Sequence, residues 1–300
     1  MKLKNFDCIV AALAALVVCA GAASAQQAAT YVGSDTCVAC HSEQAAAYNK
    51  SLHGKTVPLV KKIAADKACE TCHGAGSLHA AAAGDKTNPG FATIKNPAKL
   101  KGSDASAVCF TCHNQKKVML WDTGTHAAKG LTCNTCHSVH NGNGSKNLKK
   151  DVNALCYDCH KGKKAEMSLP SHHPLQEGKM TCTGCHNPHG GALGNLNGET
   201  VNETCYKCHS DKAGPYAHEH APVAENCGNC HKPHGSANQN LLKQAQPYLC
   251  LRCHKSEHSV PVMPSSRSGF SNKVLDLVKR NCYDCHKDIH GSDSSAGFGH

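Results

Sequence analysis

Cys227-Gly-Asn-Cys230-His231-Lys-Pro-His234-Gly235 is the stretch that decides how this chain folds. Two cysteines three residues apart can each form a thioether to a vinyl group of one haem. The histidine that follows then lies under the iron as its first axial ligand. This is the attachment signature of c-type haem.

The chain carries ten copies, opening at Cys37, Cys69, Cys109, Cys133, Cys156, Cys182, Cys205, Cys227, Cys250 and Cys282. Their second cysteines are Cys40, Cys72, Cys112, Cys136, Cys159, Cys185, Cys208, Cys230, Cys253 and Cys285. The motif histidines are His41, His73, His113, His137, His160, His186, His209, His231, His254 and His286. Twenty of the 22 cysteines are used, and the other two, Cys8 and Cys19, fall within the first 25 residues. A disulfide framework does not need a histidine after every second cysteine. Structural zinc takes four ligands per ion, and does not require His directly after Cys. The expected cofactor is therefore ten covalently attached haem c.

Residues 1–25 read as a signal peptide. Lys2 and Lys4 give a basic start, Ile9 to Ala20 is an apolar run too short to span a bilayer, and Ala23-Ser24-Ala25 predicts cleavage before Gln26. A lipoprotein acylated at Cys19 is the alternative, disfavoured by bulky Val18. The remaining 275 residues, shared among ten haems, leave about 27 per haem, so porphyrin must supply much of the core. Five Phe in the whole chain, one of them Phe6 in the leader, and one Trp fit that economy of large apolar side chains. The predicted fold is mostly loops with short α-helices wrapped around ten haems, elongated, with little or no β-sheet.

The formal charge of +10 is misleading as a guide to partners. Without the leader it is +9, from loss of Lys2, Lys4 and Asp7. Each bis-ligated ferric haem with two ionised propionates adds about −1, and each ferrous one about −2, so the loaded protein runs from about −1 to about −11. The lysines are no nucleic-acid footprint, and no nucleic-acid partner is expected.

Of 23 histidines, thirteen lie outside the motifs. An internal repeat of five tandem two-haem units (37–79, 109–140, 156–189, 205–234 and 250–290) selects ten of them as second axial ligands. These are His53, His79, His126, His140, His173, His189, His220, His234, His258 and His290. His173-Pro-Leu-Gln-Glu matches His220-Ala-Pro-Val-Ala-Glu, which leaves His172, His218 and the terminal His300 as spares. The sequence does not say which extra histidine serves which iron. Met119, Met167, Met180 and Met263 sit at no repeated position, and His/His ligation suits lower potentials. Glu43 to Leu52 predicts a helix stopped by Gly54, and Leu59, Val60, Ile63 and Ala64 a helical stripe after Pro58. Residues 74–106 read as a connector between the first unit and the other four. Pro261 to Ser271 reads as a loop, and Val274, Leu275 and Val278 as a last helical stripe.

The number, order and spacing of the motifs, Cys182-Thr-Gly-Cys-His186-Asn-Pro-His189-Gly, and Ser51-Leu-His53-Gly resemble the periplasmic decahaem cytochromes of the MtrA, PioA and DmsE type. The resemblance spans residues 26–300. It implies bis-His ligation at every iron and a place inside an outer-membrane β-barrel porin. It also implies electron transfer between the periplasm and the cell exterior, in metal or sulfoxide respiration or iron oxidation. A periplasmic or inner-membrane cytochrome would be one partner, and an extracellular multihaem cytochrome or terminal reductase another. The spacing at His73/His79 departs from the repeat and weakens the case for His79. Two other readings compete: a soluble periplasmic shuttle or electron store, and a multihaem reductase with one open haem. Nitrite reductases of the latter kind often replace a motif His by Lys, and no motif here does. The expected role is electron transfer without catalysis.

Overall fold

A computed structural model describes residues 28–60, 62–142, 144–191, 193–254 and 281–298. The leader 1–25, His258, His300, Met263, Pro261 to Ser271 and the Val274/Leu275/Val278 stripe lie outside the described residues. Among the described residues there is no strand, only short helices, 3-10 turns and isolated β-bridges.

Each motif is a single helical turn. The motif His N–H donates to the carbonyl of the first Cys, four residues back, at 2.9 Å for His41, His113, His160 and His254 and at 3.1 Å for His231. Residues i, i+3 and i+4 of a helical turn share one face. That is why Cys-x-x-Cys-His works: both sulfurs and the imidazole are aimed at one porphyrin by local geometry alone. The lead-in helices are capped by short polar side chains. Asp151 accepts from Asn153 N–H ahead of Val152–Tyr157, and Thr200 accepts from Glu203 N–H ahead of Val201–Tyr206.

The polypeptide has little apolar core of its own. Among the described residues the buried hydrophobic ones are Ala68, Ala82, Ala105, Trp121, Met167 and Leu175, while the buried polar set, including Ser34, Glu70, Asn147, Asn202, Ser236 and Ser292, is larger. Buried polar groups must be hydrogen-bonded, so these residues act as clamps rather than filler.

Three local expectations are corrected. Gly54 does not end a helix. The chain turns at Ser51 (ψ 164°), and a new helix, Leu52–Val60, runs through His53, Gly54 and Pro58. Gly54 is needed there because a Cβ would run into the Tyr48 carbonyl of the preceding helix, Ser42–Lys50. The stripe after Pro58 is not a helix face: the helix stops at Val60, Lys62 is left-handed (φ 52°), and Leu59 and Val60 are exposed. Residues 74–106 are not a bare connector. They fold back on the first unit through the helix Ser77–Ala81 and the 3-10 turn Pro89–Thr93, and their Phe91 and Lys95 carbonyls hold His79 and His73.

Candidate functional site

Nine of the ten motif histidines face an extra histidine across a narrow gap. The pairs are His41–His79, His53–His113, His73–His140, His126–His160, His137–His189, His173–His209, His186–His234, His220–His254 and His231–His290. Ring centroids are 5.8 Å apart in the closest pair and 6.3 Å in the widest. An iron between two imidazoles needs about 2.0–2.1 Å to each nitrogen, which with the ring radii puts the centroids about 6 Å apart. The gaps therefore fit one bis-ligated iron each. His258, the remaining one of the ten extra histidines, is outside the described residues.

The rings fall into two classes. Interplanar angles are 16–22° for the pairs of His41, His137, His186, His231 and His254. They are 56–69° for the pairs of His73, His113, His160 and His209.

Pairing runs between units. His53, His126, His173 and His220, each lying between the two motifs of a unit, face the first motif of the next unit. His140, His189, His234 and His290, each following a second motif, face the second motif of the preceding unit. His79 has no preceding unit to serve, and faces His41 in its own. The spares behave differently. His172 binds the Leu169 carbonyl and Glu177, and His218 joins Ser292 through two backbone hydrogen bonds of 2.8 and 3.0 Å.

Burial lowers the facing imidazoles His53, His189, His220, His234 and His290 below the usual histidine range, and the imidazole opposite adds to it in each case. The neutral ring is the form that ligates a metal. Orientation comes from the other nitrogen. Nδ1 of His73, His137, His186 and His231 donates to the Lys95, Lys146, Gly194 and Asn240 carbonyls at 2.7–3.1 Å. Among the extra histidines, His126 and His173 use the Pro188 and Pro233 carbonyls, at 2.8 and 2.7 Å. His53 Nδ1 lies 2.8 Å from the Asn147 side-chain amide nitrogen; if Nε2 were to hold an iron, Nδ1 would donate, and a flip of that amide would bring its oxygen round to accept.

The sulfurs show how the motifs are ordered. Burial and the adjoining Cys69 thiol push Cys37 up. Hydrogen bonding between the thiols pushes Cys109 up and pulls Cys133 down to about 6, and the same bond pushes Cys156 up and pulls Cys182 down to about 7. Burial and then Cys227 push Cys205 up to about 11, and burial and then Cys282 do the same to Cys250. These are contacts between first cysteines within a unit. Between units the second cysteines lie near enough to feel each other's charge. Burial raises Cys72, Cys136, Cys185 and Cys230, and nearby Cys112, Cys159, Cys208 and Cys253 raise them further. Thioether formation removes these protons; the adjacency remains. Each motif thus lies close to its sequence neighbours, by first cysteines within a unit and by second cysteines between units.

Sequence reasoning missed the residues that clamp these junctions. Asn153 and Asn202, three positions before Cys156 and Cys205, accept from the N–H of Cys182 and Cys227 at 3.0 and 2.7 Å. Their amide nitrogens donate to Leu175 and Met180, and to Val223 and Ala224. Ser34, three before Cys37, accepts from Cys69 N–H at 3.5 Å. The recurrence of Ser or Asn at that position was the available signal. Tyr157, inside a motif, buries its hydroxyl without a partner in the polypeptide, which suits a haem propionate.

A doubled Cys-x-x-Cys-His family model matches residues 126–165, 172–214 and 220–259. Each match straddles a boundary between units, opening at or beside a histidine that faces forward. The multihaem cytochrome MtrA of Shewanella baltica (strain OS185) is 37% identical over 271 residues, covering 88% of this chain and 80% of that protein. The chain belongs to the MtrA family of multihaem cytochromes. As an MtrA-family cytochrome it binds c-type haem covalently through its Cys-x-x-Cys-His motifs and transfers electrons through that haem. No helix among the described residues is long and apolar enough to cross a membrane.

Proposed function

We propose that the chain, once its residues 1–25 are removed, holds ten c-type haems in five two-haem units, and that they stand in space in the order of their motifs. Each iron takes its motif histidine and one extra histidine, paired as above, with His258 closing the site of His286. Bound haem supplies one-electron chemistry between ferric and ferrous iron. The polypeptide contributes spacing, axial orientation and exclusion of water. The exchange of facing histidines between every pair of successive units carries this reading. Tunnelling falls off steeply with distance, and each exchanged histidine ties a site to the unit beside it.

A haem is about 10 Å across, so ten in file reach on the order of 100 Å, beyond the ~30 Å apolar thickness of a bilayer. On that basis the chain is the cytochrome part of an outer-membrane porin complex. It carries electrons between the periplasm and the cell exterior, with a periplasmic or inner-membrane cytochrome at one end. An extracellular multihaem cytochrome or terminal reductase stands at the other. The pairing of nine motif histidines favours electron transfer over a reductase with an open iron. The test is purification from outer membranes. Ten haems by mass, a wholly low-spin ferric spectrum and a co-purifying β-barrel are expected. A free periplasmic monomer points to the shuttle, and a high-spin ligand-binding iron to the reductase.

A further inference from the structure

The facing pairs differ in how many of their Nδ1 atoms are anchored to the main chain. In the His73–His140 pair both are: His73 donates to the Lys95 carbonyl at 2.7 Å and His140 to the Gln44 carbonyl at 3.1 Å. No other pair among the described residues has two such bonds. The His220–His254 pair is the least anchored: His220 Nδ1 is buried and has no well-formed hydrogen bond, only an approach to the Ile289 main chain. His234 Nδ1 lies 3.5 Å from Glu166 Oε2, at the limit of hydrogen-bond distance, and that half-exposed carboxylate is shared with Lys163 at 2.8 Å, which draws its charge away from the imidazole. Donation from Nδ1 pushes electron density toward Nε2 and makes the imidazole a stronger donor to ferric iron.

The same motif encloses a carboxylate. Glu70, between Cys69 and Cys72, is 2% exposed. Its Oε1 accepts from Val32 N–H at 3.0 Å and Gly76 N–H at 2.9 Å, and its Oε2 from Gly33 N–H at 2.9 Å. All three partners are donors and none is a cation. Burial alone would raise its pKa, but the three donors hold it below the usual carboxylate range. The other acidic side chains inside motifs, Asp158 and Asp284, are exposed, and Asp158 is neutralised by Lys150 at 2.7 Å. Among the described residues only Glu70 places a buried, unneutralised negative charge within a haem motif, and it lies between its own motif and Cys37 of the first, whose thiol it also pushes up. Such a charge favours ferric over ferrous iron, because the ferric centre carries one more positive charge.

We propose that the site built from Cys69, Cys72, His73 and His140 has the lowest reduction potential in the file, and that Glu70 is a potential-setting residue. Two independent features act in one direction there. An electron moving between the motif-one and motif-three sites then climbs onto this site and descends from it. The uphill step lies one position from the N-terminal end of the file. This rests on the bis-His reading of the pairs.

The experiment is potentiometric titration and film voltammetry of the haem-loaded full chain, with haem count and spin state recorded alongside. In Glu70→Gln the lowest-potential component should shift upward while haem number and the low-spin spectrum stay unchanged, and Glu70→Asp should restore it. In His140→Met the component lost from the bottom of the range should reappear higher, since a Met ligand raises the potential. An unshifted low end in Glu70→Gln, or a His140→Met change at any other component, overturns the proposal. If Glu70→Gln does not load, His140→Met decides alone. A low haem count or a high-spin fraction in the unaltered protein defeats the underlying ligation reading instead.

Discussion

His137 and His189 face each other with ring centroids 6.0 Å apart and planes 18° apart, although His189 follows a different motif, that of His186. A residue close in sequence to one site thus completes another. The exchange repeats along the chain and ties each unit to the one before and the one after it wherever both exist.

Replacing His189 with Ala should therefore open the iron of His137 and leave that of His186 six-coordinate. Haem content by mass should not change, since the thioethers are untouched. One equivalent of high-spin iron, able to bind carbon monoxide, should appear in optical and EPR spectra. Loss of ligation at His186 instead would refute the exchanged pairing.

Gly235 follows His234 and packs on the preceding unit so closely that a Cβ would run into the Glu166 carbonyl. Gly235→Ala should force the third and fourth units apart, at a cost of about 1–3 kcal/mol. Thermal melting should fall, and the His186 site should show a high-spin fraction. Gly162→Ala meets open space and should leave both unchanged.

Asn202 binds Cys227 N–H, the Val223 carbonyl and the Ala224 carbonyl at 2.7–3.1 Å, and is buried. Asn202→Ala leaves those groups unsatisfied and should cost about 1–3 kcal/mol in denaturant unfolding. An effect below that range would show that water replaces the clamp.

Glu70 should make the first unit acid-labile. Its folded pKa lies below its unfolded one, so its stabilising contribution is complete above the ordinary glutamate pKa of about 4.3 and is lost as pH falls through the folded value. Proteolysis of the N-terminal segment around Val32 and Gly33 should increase over that acid window. In Glu70→Gln the pH dependence should vanish.

The two interplanar classes should be visible in the ferric EPR spectrum. Near-parallel imidazoles split the iron d orbitals and give ordinary rhombic signals. Crossed imidazoles bring those orbitals close to degeneracy and give a signal with a larger maximum g. Four described sites belong to the crossed class and five to the parallel class. His140→Met should remove one crossed signal, and His189→Ala one parallel signal.

What the sequence determined by itself was local and covalent. Cys-x-x-Cys-His needs only one helical turn to aim two sulfurs and an imidazole at one porphyrin, so the attachment chemistry and the helix-and-loop character were legible from spacing. Helix ends were less so, because Gly54 serves a close backbone approach rather than a stop, and that contact is not written in periodicity. The clamps Asn153 and Asn202 repeat at one position, yet their partners lie beyond the next motif. The tertiary structure decided which extra histidine faces which motif and the order in which the cysteines meet. It also decided that Glu70 is buried among N–H donors. An imidazole can reach any gap the backbone brings to it, and only packing between units chooses the gap.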